Sequence, residues 1–207
     1  MTHDDHDHHH HHHGHDARLS LTVFSPAGVV AKAPVLRRAA KRLGALGFEG
    51  QIDEAPAPKH QRFAGDDDPR LAAIHRVAAQ APGVALAARG GYGLTRLLDR
   101  IDWKLIARSI EQGTRWVGYS DMTTLQLGLL AHATGTTWAG PLACGDFGGE
   151  AVDEVTEACC GEAMRGELEA VGFRTEAGFD GLGVRGTLWG GNLCMVNSLL
   201  GTPHWPS

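Results

Sequence analysis

From Leu19 onward, short apolar runs alternate with longer amphipathic stretches, and few folds accept that order. Residues 19–24 (LSLTVF) are predicted to form a strand leading into Ser25-Pro26-Ala27-Gly28, and 34–46 set Val35, Leu36, Ala39, Leu43 and Leu46 at helical spacing. A second strand is predicted over 48–52. A polar loop with Pro56, Pro58 and Asp66-Asp67-Asp68-Pro69 follows, and 70–80 again have helical period. Residues 84–88 are short and wholly apolar, as a strand buried on both faces requires, and run into Arg89-Gly90-Gly91-Tyr92-Gly93. Helical pattern resumes over 94–112 with a break near Asp102; a fourth strand over 116–119 and a helix over 121–133 complete the series. The fold class is therefore α/β, a doubly wound parallel sheet, whose ligands bind beyond the carboxyl ends of the strands. Attention falls on the loops after Ala88 and after Tyr119.

The composition changes after Pro141. Residues 141–149 (PLACGDFGG) read as a linker, 151–164 as a helix, 168–189 as short strands separated by Gly, and 191–200 as a further helix. With 207 residues against roughly 150 per domain, the expected organisation is a nucleophile-bearing α/β domain over 17–140, the linker, and over 150–207 the beginning of a second, incomplete domain. An incomplete second domain would leave Trp189, Leu193, Val196 and Trp205 as exposed apolar surface, with self-association into a homo-oligomer as a consequence.

Nine of the 13 His lie in residues 1–16, together with four Asp and no Lys or Arg, so the rest holds 20 acids against 19 bases. A nearly neutral domain offers no basic field for a phosphate backbone and no polybasic helix for a lipid surface, which argues against nucleic acid and membrane partners. No apolar stretch approaches the roughly 20 residues that span a bilayer, and the N-terminus lacks the order of a secretory signal, so a cytoplasmic location is expected. The tail, with His8, His9, His10, His11, His12 and His13 unbroken, reads as disordered and either as a purification tag or as a weak zinc or nickel binder. Cys144, Cys159, Cys160 and Cys194 include no C-x-x-C pair and read as reduced packing residues. No cofactor is implied.

Ser120 stands where an apolar strand turns into a helix, in Gly118-Tyr119-Ser120-Asp121-Met122. Such a turn presents a serine at the sheet edge, with the next backbone N–H aimed where a carbonyl oxygen would become an oxyanion. The hydrolase elbow G-x-S-x-G is half matched, since Met122 holds the last Gly position. Spacing alone favours Ser120 as a helix cap instead. Gly90 and Gly91 bring backbone amides close to a ligand, either as a second oxyanion donor or as a plain tight turn. The G-x-G-x-x-G at Gly181, Gly183 and Gly186 leads into strand-like residues rather than a helix, unlike a dinucleotide loop.

Arg89-Gly90-Gly91-Tyr92-Gly93, Gly118-Tyr119-Ser120-Asp121-Met122-Thr123, Gly140-Pro141, Gly190-Gly191-Asn192-Leu193 and Gly201-Thr202-Pro203 together resemble the LD-carboxypeptidase (muramoyltetrapeptide carboxypeptidase) family. Ser25-Pro26-Ala27-Gly28 and Asp67-Asp68-Pro69-Arg70 are similar to it as well. The resemblance implies a serine peptidase that releases terminal D-alanine from murein tetrapeptide, a small peptide substrate, in cell-wall recycling; a sister group hydrolyses microcin C. It assigns Ser120 as nucleophile, with the Asp121 and Gly91 amides as the oxyanion hole. It also implies a catalytic Glu and His in the C-terminal domain beyond Gly-Thr-Pro, past the end of this sequence, so impaired activity of the 207-residue form is expected. A catalytically incompetent remnant or metal-binding protein is the alternative. None of His60, His75, His132 and His204 replaces that base convincingly: His132 lies twelve residues along the helix from Ser120, about 18 Å at 1.5 Å per residue. Glu150, Glu154 and Glu157 read as a solvated helix face.

Overall fold

The computed structural model describes residues 18–27, 32–53, 67–178 and 181–207. Within them, β1 (Leu19–Phe24), β2 (Phe48–Ile52), β3 (Val84–Ala87), β4 (Arg115–Gly118) and β5 (Trp138–Ala139) form one parallel sheet in the order β2-β1-β3-β4-β5. The helices are α1 (Ala33–Ala45), α2 (Asp67–Gln80), α3 (Trp103–Glu111), α4 (Met122–His132), α5 (Glu154–Met164) and the short α6 (Leu193–Ser198).

Helices cover both faces, so the expected doubly wound parallel sheet is what forms. Successive strand residues point to opposite faces. Leu21, Val23, Val84, Leu86 and Val117 meet Ala39 and Leu43 of α1 and Cys160 and Met164 of α5, with Phe147 from a single turn at Ala143–Phe147. Phe24, Ala85, Ala87 and Trp116 meet α2, α3 and α4 on the other face. All four residues of β3 are buried, which is why that run had to be apolar throughout. Each fully buried Leu or Ile here contributes roughly 1.5–3 kcal/mol of transfer free energy. Gly128 lets α4 cross α3 closely, because a Cβ there would fall 2.4 Å from the Trp103 ring.

Beyond β5, which the sequence pattern does not predict, three segments differ from expectation. Residues 94–100 form two 3-10 turns (Leu94–Arg96 and Leu98–Arg100), and α3 starts only at Trp103, where the Asp102 carboxylate caps it by accepting from the Leu105 amide at 3.1 Å. Residues 168–189 form no strand among the described residues; Val171, Phe173, Leu182, Val184 and Leu188 all stand exposed. Their alternation with Gly imitates a strand pattern, but no neighbouring strand pairs with them. Finally, Val196 and Trp205, expected at the surface with Trp189 and Leu193, pack partly against the core; Trp205 meets Trp189 edge to face at 5.3 Å. Leu193 is 71% exposed.

His8, His9, His10, His11, His12 and His13 lie outside the described residues. Among the described residues, no group of three His, Cys, Asp or Glu side chains could hold a metal ion, and no helix is long and apolar enough to cross a membrane.

Candidate active site

The site begins with the backbone of one serine. β4 ends at Gly118, α4 begins at Met122, and Ser120 between them has φ +63°. An L-residue in the left-handed region carries a cost of about 1–2 kcal/mol, so this turn is held by its surroundings. Among the described residues Ala81 is the one other non-glycine residue with positive φ. Gly118 makes the turn possible, because a Cβ there would fall 2.7 Å from Met122 Cγ and 3.2 Å from Ala87 Cβ. This explains the half-matched pattern: the glycine before the serine clears the path of the helix, and Met122 fills the space that results. The helix cap position falls on Asp121 rather than Ser120.

Ser120 is half-buried and faces the loop after β3. A Cβ on Gly90 would lie 2.9 Å from Ser120 Cβ and 3.0 Å from its Oγ, so the hydroxyl rests against bare backbone. Gly91 follows, exposed, with φ +148°. Among the described residues, no backbone carbonyl accepts from the amides of Asp121 or Gly91. Ser120 and Gly90, the first residue of the Gly90-Gly91 pair, are thus brought together across the ends of adjacent strands.

The side chain of Asp121 holds these two loops in place, a role that sequence reasoning missed in treating Asp121 as a backbone donor alone. The residue is 1% exposed, and its Oδ2 accepts from the Leu94 amide at 3.0 Å. Burial raises the carboxyl above its ordinary pKa, while the Leu94 amide and the charge of Arg70 pull it back. Arg70 is itself buried: Nη1 donates to the Pro26 carbonyl at 3.1 Å and Nη2 to Asp67 Oδ1 at 2.7 Å. Gly93, at φ +105°, lies over this guanidinium; a Cβ there would meet Nη1 at 3.0 Å. Arg70 and Asp121 between them tie the loops after β1, β3 and β4 together. The block Asp67-Asp68-Pro69-Arg70 was the available signal.

Buried polar groups fix the opposite side of the turn. Gln126 Nε2 donates to the carbonyls of Gly118 at 2.9 Å and Trp138 at 3.0 Å, which sets the end of β5 beside the end of β4. Thr123 Oγ1 accepts from the Asn192 amide at 3.0 Å, bringing Gly190-Gly191-Asn192 onto the first turn of α4. Tyr119 turns the other way; burial and the nearby Asp146 charge push its phenol above its ordinary pKa.

The histidines gather elsewhere. His75 Nε2 accepts from the Asp102 amide at 3.0 Å. His132, at the far end of α4, stacks on Trp103 and places Nε2 2.7 Å from His204 Nδ1, while His204 Nε2 lies 2.8 Å from Asp99 Oδ1. With α4 rising about 1.5 Å per residue, this cluster stands some 18 Å from Ser120. Burial, then the proximity of His204, lowers the His132 pKa. Each described histidine is held by partners of its own, and His60 lies outside the described residues. Glu154 and Glu157 belong to α5, and Glu150 precedes it.

Residues 21–140 match the LD-carboxypeptidase N-terminal domain. A Bacillus subtilis (strain 168) protein named "Probable murein peptide carboxypeptidase" is 32% identical over 162 residues, covering 76% of this chain and 50% of that protein. The crystal structure of muramoyltetrapeptide carboxypeptidase from Oxalobacter formigenes aligns with a TM-score of 0.79 at 32% identity, over 91% of this chain and 62% of its own. That of an MccF-like protein from Bacillus anthracis str. Ames aligns with a TM-score of 0.72 at 25% identity, over 92% and 64%. The chain spans about half the length of the curated relatives it matches.

Proposed function

The chain belongs to the LD-carboxypeptidase family, and from that premise we propose that it carries the nucleophile and oxyanion hole of a serine carboxypeptidase acting on murein peptides. The observation that carries this reading is the left-handed backbone of Ser120 at the strand-to-helix turn, with its hydroxyl against Gly90. Strain of that kind persists where the surroundings enforce it, and here it lifts one hydroxyl to the mouth of the sheet.

In the proposed reaction Ser120 Oγ attacks the carbonyl carbon of the bond joining an L-centre to the terminal D-alanine. The hydroxyl proton passes to a base, water where no side chain serves, as the C–O bond forms and is returned to the leaving amine, while the carbonyl oxygen becomes an oxyanion between the Asp121 and Gly91 amides. Collapse breaks the C–N bond; D-alanine departs with a proton, and water then hydrolyses the acyl-serine. Loss of one such amide donor would cost on the order of 10²–10³ in kcat. A base for the hydroxyl proton must come within about 3 Å of Oγ, and the described histidines are engaged elsewhere, so slow turnover is expected of this chain by itself. The tasks assigned to the chain are a small peptide substrate and a cytoplasmic setting. The exposed Val184, Leu188 and Leu193 also favour self-association.

The test is D-alanine release from murein tetrapeptide by the 207-residue chain and by Ser120→Ala. Slow release that disappears in the variant supports the reading. Release that persists in Ser120→Ala would overturn the nucleophile, and release at an ordinary enzymatic rate would overturn the expected lack of a base. Microcin C as a parallel substrate distinguishes the MccF-like activity.

A further inference from the structure

At the far end of α4, three polar side chains are linked in a row. His132, in the last turn of that helix, sets Nε2 2.7 Å from Nδ1 of His204, and His204 Nε2 lies 2.8 Å from Asp99 Oδ1. His204 belongs to the C-terminal segment, where Leu199, His204 and Pro206 are buried and the Thr202 and Trp205 amides donate to the Leu199 and Thr202 carbonyls. Trp205 meets Trp189 edge to face, and from Trp189 the chain runs to Asn192, whose amide donates to Thr123 Oγ1 on the first turn of α4. One stretch of chain thus joins the two ends of the helix.

Hydrogen-bond chemistry limits how many protons the row can hold. A carboxylate only accepts, so His204 Nε2 donates to Asp99. In the neutral pair, His204 Nδ1 offers a lone pair to which His132 Nε2 donates. One added proton leaves both bonds in place: His204, protonated on both nitrogens, donates to Asp99 and to His132 Nε2, whose own hydrogen moves to Nδ1. A second proton, on His132, sets two N–H groups against each other at 2.7 Å. No bond forms there, and two like charges meet.

The charges that act on His132 are those of His204 and Asp99. From α3 the uncharged Trp103 ring faces the pair, and Lys104, Arg108 and Glu111 make no hydrogen bond or ion pair with it among the described residues. Arg96 and Arg100 of the 3-10 turns are paired with Asp67 and Asp68, and α6 carries only the exposed thiol of Cys194.

We propose that His132, His204 and Asp99 form a pH-sensitive latch, which holds residues 199–207 to α4 while the histidine pair carries at most one added proton and releases them when it takes a second. Burial, then the neighbouring His204, holds the His132 pKa below its ordinary 6.5. The latch is therefore shut above about pH 6.5 and opens as pH falls through the folded pKa. Opening also loosens the Trp189–Asn192 strap beside the turn that carries Ser120. That this strap borders an active site rests on the carboxypeptidase reading; the latch itself does not, and it is measured without substrate.

The experiment is hydrogen–deuterium exchange of the full chain at about pH 7.5 and about pH 5, corrected for the intrinsic pH dependence of exchange. Peptides covering 187–193 and 199–207 are expected to lose protection on acidification, about tenfold for each pH unit below the His132 pKa, while peptides from β1 and β3 keep theirs. In His132→Gln the amide group donates to His204 Nδ1 or, turned over, accepts from it, so the loss should disappear. His204→Gln removes the other ring, should act alike, and keeps the test decisive if His132→Gln unfolds. Protection of either peptide that ignores pH, a loss shared equally by β1 and β3, or a loss that survives in the glutamine variants would overturn the latch.

Discussion

Replacing the serine at the turn by glycine should make the protein more stable while destroying its proposed nucleophile. At φ +63° an L-side chain costs about 1–2 kcal/mol, which glycine escapes. Glycine forfeits roughly 0.5–1 kcal/mol through the greater freedom of its unfolded chain. The difference leaves a net gain of about 0–1.5 kcal/mol, centred near 0.75 kcal/mol, for Ser120→Gly. For a chain of this size, each kcal/mol moves Tm by roughly 2–4 °C. Ser120→Ala is the essential control, because it removes the hydroxyl yet keeps the Cβ and therefore the strain. Parallel calorimetric scans of the wild type and both variants make the measurement. The expected order of Tm is Gly above Ala; a glycine variant at or below the alanine variant would refute the claim that this backbone is held under strain.

Other perturbations address the surroundings of the turn. Asp121→Ala leaves the Leu94 amide without its acceptor and should cost about 1–3 kcal/mol in denaturant unfolding, whereas Asp121→Asn keeps an acceptor, removes a buried charge and should unfold near wild type. Gly90→Ala puts a methyl group 2.9 Å from Ser120 Cβ and should cost about 1–3 kcal/mol by overpacking, with a lower Tm and slower modification of Ser120 by a fluorophosphonate. The folded-state pKa of His132 lies below its ordinary 6.5, so the unfolded chain binds the proton more readily. Stability from this group is present above about pH 6.5 and is lost as pH falls through the folded pKa. His132→Asn should flatten that acid limb of the Tm profile.

Much of the fold was legible because the first four strands each carry a signature of their own. Residues 84–88 are apolar throughout because both faces of β3 are covered, and the spacing of Leu36, Ala39 and Leu43 reports the buried stripe of α1. Legibility failed where a pattern needed a partner. Residues 168–189 alternate like strands yet, among the described residues, pair with no strand, while Trp138–Ala139, only two residues long after a Thr-rich turn, completes the sheet through Gln126 and β4. The order Gly-Tyr-Ser-Asp marked the candidate site, but neither the left-handed φ of Ser120 nor the bond from Asp121 to an amide 27 residues away leaves a local trace in sequence. The pairing of His132 with His204, 72 residues apart, was equally hidden.

The most direct test is a crystal structure of the protein soaked with a peptidyl boronic acid in which boron replaces the carbonyl carbon of the L-residue that precedes the terminal D-alanine. A covalent bond from boron to Ser120 Oγ, with one boronate oxygen about 2.7–3.1 Å from both the Asp121 and Gly91 amides, is the expected result. Boron bonded to another residue, or a boronate oxygen pointing away from the glycine pair into solvent, would contradict the account.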